Sequence, residues 1–429
     1  MGENKLRITI IGSGIAGLCS AIALQKQPNV DVQLFERAPK LQEVGASIAL
    51  GPNGMRTLER LGVVEALDDS LAFRNKSGYP MIYRHWKTNE VISVDEHHSA
   101  VETRYQTARF YRVHLQQALA SHIDPARLHF NKTFASVDSV PETDSLLVAY
   151  TDGTKVETDI LLGADGIRSA VRQHFVPTSA PKWTGWVAFR TVFDASRVAH
   201  IPGALDEAYH WWGPDRTFFS SRLGADLFTI VGGYHGDPHA EDAAYRHATW
   251  NSPGDVEVLK GFYRDWNSVV KAMIDAAPDV RQYPNTFAAG LASWVLGDGR
   301  VTLAGDSAHA HGGAFAAGGS LAADDAYAFA RAVAHVMPPE VSPSGARIEE
   351  ALKLYEATRK AHTDRVLAIV HQGNKKMVER VGKTETDEEL RARMMGRSDP
   401  FWIHEHDVDA AFAQAVAQIY DGDDDRARL

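Results

Sequence analysis

The sequence predicts an α/β protein: a Rossmann-like nucleotide-binding domain, a mostly antiparallel β-sheet domain inserted into it, and a C-terminal helical segment. Three observations carry this expectation. The chain opens as strand, glycine turn and helix; between Trp183 and Tyr234 the texture changes to alternating, aromatic-rich strands; and α/β texture returns after about Trp294. With 429 residues, 44% of them hydrophobic and 23% charged, the chain has apolar material for two or three cores.

Lys5 to Gly12 reads as a short buried strand, and Ile15 to Lys26 as a helix by its apolar spacing and helix-forming residues. Val30 to Phe35 ends at Glu36-Arg37 and supplies the second strand of a βαβ unit. Helical periodicity recurs over Gly54 to Leu67, Arg112 to Ser121 and Ala326 to His335, and apolar strands are expected at Ile160 to Leu162 and Arg300 to Ala304. The inserted sheet is expected to hold Val187 to Val192, Tyr209 to Trp212, Thr217 to Ser220 and Leu227 to Val231. Ala351 to Met377 makes a long helix, Thr384 to Arg397 a charged and solvated segment, and Asp421 to Arg426 a frayed acidic tail. The boundaries that follow are 1–180 and 291–375 for the nucleotide-binding domain, 181–290 for the sheet domain and 376–429 for the C-terminal helical segment and tail. Residues 73–104 are assignable to either of the first two.

Lysine plus arginine total 45 against 55 acids, a net charge of −10, with no basic run that would track a polyanion, which argues against a nucleic-acid partner. Cys19 is the only cysteine, so neither an intramolecular disulfide nor a multi-thiolate zinc site is expected, and within the first helix it reads as a small packed side chain. Nineteen histidines occur without an H-E-x-x-H or Cys/His cluster, so no metal site is expected. No window approaches the roughly 18 apolar residues of a spanning helix, and the run Ile8 to Ile11 is too short for a signal peptide, so no membrane partner and a cytoplasmic location are expected. The triplet Ala427-Arg428-Leu429 resembles a variant of the S-K-L peroxisomal address and gives a second reading of location.

Gly12-Ser-Gly14-Ile-Ala-Gly17 matches G-x-G-x-x-G between a strand and a helix. Gly12 permits the tight turn, Gly14 lets a pyrophosphate approach the backbone, and Gly17 lets the helix pack on the strand. A glycine triplet alone is also compatible with a mere tight turn. Glu36 points to dinucleotide binding, because an acid at the end of the second strand accepts hydrogen bonds from a ribose. Gly163-Ala-Asp165-Gly166-Ile-Arg168-Ser169-Ala-Val-Arg172 and Gly305-Asp306-Ser-Ala-His309 each follow an apolar strand and put a carboxylate beside glycines at its end.

In these motifs, with Gly45 to Asn53, Tyr111-Arg112-Val-His-Leu115 and Tyr355 to Arg359, the sequence resembles the para-hydroxybenzoate hydroxylase-like FAD monooxygenases, and among them the salicylate hydroxylase branch. The resemblance covers most of the chain. It implies that Gly12, Gly14, Gly17 and Glu36, with Arg37 beside it, hold the ADP part of FAD, that Ala49 and Arg112 line the cofactor, and that Asp306 and Gly319 meet its ribityl-flavin end. It also implies that Asp165 touches FAD and helps NAD(P)H dock as a transient electron donor. One departure is Gly313, which stands where the family usually has proline and should loosen that loop.

Arg190 lies between apolar neighbours on an expected strand, where an unpaired guanidinium is costly, so it wants an anionic partner. That partner is either a substrate phenolate or carboxylate, which would make Arg190 the catalytic and substrate-binding residue, or a structural acid. His210, Trp212 and Phe219 read either as the lining of an aromatic pocket or as plain sheet core. His309 reads as a histidine that fixes its loop by hydrogen bonds rather than as a general base. The expected function is hydroxylation of a phenolic aromatic acid with NAD(P)H and O2, salicylate to catechol with loss of CO2 being the first reading. A different ring (hydroxybenzoate, polyketide phenol or indole) and a non-catalytic flavin-binding protein are the alternatives. The oligomeric state stays open, a homodimer being the one assembly considered.

Overall fold

A computed structural model of the chain describes residues 5–41, 47–98, 100–241, 244–312, 314–380, 383–397 and 399–426. The strand Leu6–Ile11 is buried at every position but Arg7 because it forms the middle of a five-stranded parallel sheet. The strand order is Val301–Leu303, Ile160–Gly163, Leu6–Ile11, Val30–Phe35, Leu128–His129, and every neighbouring pair is parallel. Ile11 stands opposite both Phe35 and Gly163, and Gly163 opposite Leu303, so Gly12, Glu36, Ala164 and Ala304 emerge along one edge. Backbone bonds from Gly12 N to Phe35 O (2.8 Å), Ala164 N to Ile11 O (2.8 Å) and Ala304 N to Gly163 O (3.0 Å) carry the register past the strands. The helices Ile15–Leu24, Gly318–Val336 and Gly345–Val378 pack in series beside this sheet and share its apolar core.

The aromatic-rich block forms an eight-stranded sheet in the order Ser252–Pro253, Arg281–Phe287, Lys182–Asp194, Leu227–His235, Thr217–Arg222, Tyr209–Trp212, Ile82–His85, Val91–Val94. All its pairings are antiparallel except that of Tyr209–Trp212 with Ile82–His85. Because side chains alternate along a strand, Val187, Phe189, Phe193, Trp211, Phe218 and Phe228 share one face, where they close a second apolar core with Tyr263, Val270 and Met273. Arg190 and His210 take the opposite face.

The structure departs from the sequence expectations in five places. The helix expected over 54–67 is Pro52–Arg60 followed by a separate 3₁₀ turn at Val64–Leu67, because the chain reverses at Gly62 with φ +82°. The helix placed at 326–335 is the second half of Gly318–Val336, and the boundary at 375/376 cuts the long helix Gly345–Val378. The segment 384–397 is not a solvated stretch: Asp387–Met395 is a helix with a complete capping box between Thr386 and Glu389, and Leu390 and Met394 are buried. Arg393 pairs with Glu385 at 2.6 Å within the segment, while its bond to Gly213 O (3.0 Å) and the pair of Arg397 with Asp95 at 2.5 Å tie the segment to the large sheet. The acidic tail continues the helix Val408–Arg426. Gly45, Gly313 and Ala427-Arg428-Leu429 lie outside the described residues. Among the described residues no helix is long and apolar enough to cross a membrane.

Thr386→Ala removes the capping hydroxyl and should cost the helix Asp387–Met395 about 1 kcal/mol, read as roughly fivefold faster amide hydrogen exchange over 387–396. Unchanged exchange there would show that packing of Leu390 and Met394 alone holds the segment.

Candidate functional site

The glycine turn is built from close approaches. Gly12 has φ +103°, and a Cβ there would lie 2.5 Å from Ala164 O, while a Cβ on Gly17 would lie 1.9 Å from Gly12 O. The helix Ile15–Leu24 therefore starts hard against the sheet edge. A Cβ on Gly14 would meet nothing within 4 Å, so the backbone at this helix N-terminus borders open space. Glu36 is tied to the same turn: one carboxylate oxygen accepts from Ser13 N (2.9 Å) and Ser13 Oγ (2.8 Å), the other from Ala38 N (2.8 Å). Arg37 beside it is exposed.

At the next strand end, one oxygen of Asp165 accepts from Ala170 N (2.7 Å) and Val171 N (3.2 Å), capping the helix Ala170–Phe175. Its other oxygen is buried with no partner among the described residues, and burial raises its pKa. Arg172, at the end of the same motif, is buried and donates to the carbonyls of Ser307 (3.2 Å), Ala308 (3.1 Å) and Ala289, so the motif holds the neighbouring strand-end loop in place. On that loop Asp306 is exposed at the start of the short helix Asp306–His309.

The loop is fixed by a group that the sequence reading did not single out. Asp325, buried on the helix Gly318–Val336, accepts from Gly305 N (2.9 Å) and Arg359 Nε (2.9 Å) and lies 2.5 Å from His309 Nε2. Burial alone would push Asp325 up, but the charge and hydrogen bond of His309 and the charge of Arg359 more than reverse that and hold it at about 2. The adjacent Asp324, also buried, is pushed up, with Thr57 Oγ1 (2.7 Å) and Asn53 Nδ2 (2.8 Å) donating to it. Two neighbouring acids thus anchor one helix to three different elements. In sequence they look like a solvated Asp-Asp pair; a signal lies only in their place on an otherwise alanine-rich helix.

Ala49 is half-buried on Ser47–Leu50, paired with Ala108–Tyr111, and Arg112 begins the helix that follows. Gly319 is buried against this ledge, where a Cβ would lie 2.9 Å from Ile48 Cδ1, so it brings the N-terminus of Gly318–Val336 onto the ledge. His311 is buried beside Gly318, and neither ring nitrogen has a partner among the described residues.

Arg190 faces this region from the large sheet. Its Nε is buried without a partner, no carboxylate pairs with it among the described residues, and its guanidinium carbon lies 5.6 Å from the Tyr283 ring centroid. Burial draws its pKa down to about 10, with Tyr283 acting against the shift and the like charge of Arg112 adding to it. Sheet register sets Arg190, Val231, Phe219, His210 and Tyr83 in one row across the strands. Phe219 and His210 touch edge to face at 6.3 Å, whereas Trp212 stands at the far end under Arg393, at 5.2 Å. The expected substrate residues therefore share one face but do not converge on one point.

The sequence model of the FAD binding domain family matches residues 5–370. Among curated relatives, 6-hydroxynicotinate 3-monooxygenase of Bordetella bronchiseptica is 28% identical over 381 residues, covering 86% of this chain and 91% of that protein. Salicylate hydroxylase of Pseudomonas putida is 27% identical over 436 residues (98% and 97%), and 3-amino-4-hydroxybenzoate 2-monooxygenase of Streptomyces cremeus 29% over 409 (92% and 93%). A salicylate hydroxylase substrate complex superimposes with TM-score 0.79 at 21% identity, covering 97% of this chain and 99% of that one, a likeness of fold.

Arg359→Met leaves Asp325 buried without its cation and should destabilise the protein by about 3–5 kcal/mol in chemical unfolding. Asp325 is held below its unfolded value of about 3.9, so its stabilisation is complete above about pH 4 and is lost as pH falls toward 2. Asp325→Asn should accordingly flatten the acid limb of the stability profile; an unchanged limb would assign acid unfolding to other carboxylates.

Proposed function

The chain belongs to the FAD binding domain family of flavin-dependent aromatic monooxygenases, and on that premise we propose that it hydroxylates a phenolic aromatic acid with NAD(P)H and O2. Salicylate, converted to catechol with loss of CO2, is the first substrate to test. The residues at the strand ends fit FAD: Gly14 leaves open space at a helix N-terminus for a pyrophosphate, Glu36, tied to the glycine turn, would meet a ribose, and one Asp165 oxygen is buried without a partner among the described residues. Gly12 and Gly17 would shape that cradle, Arg37, Ala49 and Arg112 would border the cofactor, and Asp306 and Gly319 its ribityl-flavin end.

The chemistry supplied with FAD bound is reduction by NAD(P)H and activation of dioxygen for transfer to an electron-rich ring. The chain's own work is to bind, orient and exclude water. The observation that carries the reading is Arg190, a half-buried arginine whose enclosed Nε has no partner and whose guanidinium has no anionic partner among the described residues, on the sheet face turned toward Arg112. A phenolate or carboxylate would complete its charge where water is scarce. Salicylate, 6-hydroxynicotinate and 3-amino-4-hydroxybenzoate, the substrates in the relatives' names, are all six-membered aromatic rings bearing a carboxylate and a hydroxyl. That common chemistry supports the class and keeps 6-hydroxynicotinate as a second substrate to try.

Stopped-flow reduction of the bound flavin by NADH should be faster with salicylate or 6-hydroxynicotinate than without. If no aromatic acid accelerates it, the chain is a flavin-binding protein without this turnover. Glu36→Ala should weaken FAD retention by about 1.5–3 kcal/mol in equilibrium dialysis, since a charged acceptor is lost; unchanged affinity would reject the ribose assignment. Arg190→Ala should keep FAD, lose about tenfold or more in kcat/KM and release more hydrogen peroxide per NADH, with Arg190→Lys recovering only part. Wild-type efficiency and coupling in Arg190→Ala would make Arg190 a structural residue.

A further inference from the structure

The loop that joins the helix Asp306–His309 to the helix Gly318–Val336 has little in its own sequence to hold a shape. Gly312-Gly313-Ala-Phe-Ala-Ala-Gly318-Gly319 sets a glycine pair at each end, and glycine leaves the backbone free to rearrange. Yet Phe315 and Ala316 stand at φ +58° and +53°, a left-handed conformation that costs any residue with a Cβ and persists only where the surroundings impose it. Asn285 Nδ2 donates to Gly312 O (2.6 Å) and Ala288 N to Ala310 O (3.1 Å), so these bonds fasten the loop ahead of the strained pair and not at it.

The C-terminal segment meets the strained pair. Ile403, on the short helix Phe401–His404, is buried in an apolar cluster with Ala317, Leu321 and Val366, against which Phe315 packs. His404, also buried, touches both the ledge and the loop. A Cβ on Gly51, at the end of the ledge strand Ser47–Leu50, would collide with its ring. The Phe315 backbone also interacts with this imidazole and favours its protonated form, as a carbonyl facing a ring N–H does. The flanks of the helix are fastened to both domains. Asp399 pairs with His98 Nε2 at 2.7 Å and Phe401 stacks on the same ring at 4.4 Å, just past the edge strand Val91–Val94 of the large sheet. His406 stacks on His362 at 3.9 Å, and Arg365 lies 3.9 Å from the Trp402 ring, both partners being on the long helix Gly345–Val378.

Resting on the reading of Asp306 and Gly319 as neighbours of the ribityl-flavin end of FAD, we propose that Ile403 and His404 are positioning residues of the flavin site, a clamp that holds Phe315 and Ala316 in their left-handed turn and so keeps the loop against the ledge that carries Ala49. The turn Ala314–Ala316 lies beside that ledge strand. Neither residue need touch the cofactor. A loop that is loose by composition takes its shape from a helix far along the chain, and with it the wall against which a flavin ring is oriented.

The test is limited proteolysis of the full chain with chymotrypsin, with and without FAD, the cut sites being identified by mass. Phe315 is the only Phe, Tyr or Trp between Asp306 and Ala326, so cleavage after it reports opening of the loop. Ile403→Ala and His404→Ala should each speed that cut about tenfold or more, while cleavage at the core residues Phe110 and Phe329 stays at the wild-type rate. His404→Gln, which keeps a side-chain N–H, should recover part of the protection. An unchanged rate at Phe315 in one alanine variant removes that residue from the clamp, and in both overturns it. An acceleration shared equally by Phe110 and Phe329 marks general unfolding and overturns it too. FAD should slow the wild-type cut. If it does not, the loop is not beside the cofactor and the reading of the site falls, while the variants without FAD still decide the clamp. With FAD bound, both alanine variants should also pass more of the electrons of NADH to O2 as H2O2. Wild-type coupling in a variant whose loop is freed would overturn the positioning role.

Discussion

A parallel sheet with matched register ends its strands along one line, and the architecture around the candidate site depends on that constraint. Ile11, Phe35, Gly163 and Leu303 stand opposite one another, so the turns that follow them, carrying Gly12, Glu36, Asp165 and Asp306, open on the same edge. A one-residue slip of any strand would turn its side chains over and move its acid off the line. The close contacts of Gly12 with Ala164 and of Gly17 with Gly12 enforce that register at its most crowded point, since neither position has room for a Cβ.

The buried charges near the strand ends differ in how they are met. Asp325 is enclosed by Arg359, His309 and the Gly305 amide, and it behaves as a fastener for the loop carrying Asp306. Arg172 ends on three carbonyls and does the same from the other side of that loop. Arg190, half-buried with its Nε enclosed, has an aromatic ring and a like charge nearby and no carboxylate paired with it among the described residues.

The sequence made the nucleotide-binding part legible because its signals are local: a β-branched run, a glycine triplet at fixed offsets, an acid at the strand end. FAD as cofactor and the monooxygenase family agree with the family match. What was not legible depends on pairing across long separations. That Arg190, Phe219 and His210 form one row requires knowing that Leu227–His235 lies between Lys182–Asp194 and Thr217–Arg222. The helix Asp387–Met395 was hidden because its charged residues outnumber the two that are buried, and the contacts of Arg393 with Gly213 and Trp212 and of the following Arg397 with Asp95 come from residues far away in sequence. Apart from their alanine-rich surroundings, Asp324 and Asp325 carry no local mark of burial, since their partners Asn53, Thr57, His309 and Arg359 come from other elements.

The central claim is that the strand-end line and the Arg190 row are the two walls of one site. A crystal structure of the chain with FAD bound tests it most directly. The account predicts the pyrophosphate against the backbone of Gly12 to Gly17, the ribose at Glu36, and the ring system between the Asp306 loop and the sheet face that carries Arg190. A flavin ring turned away from that face, with Arg190 paired to a protein carboxylate, would contradict it.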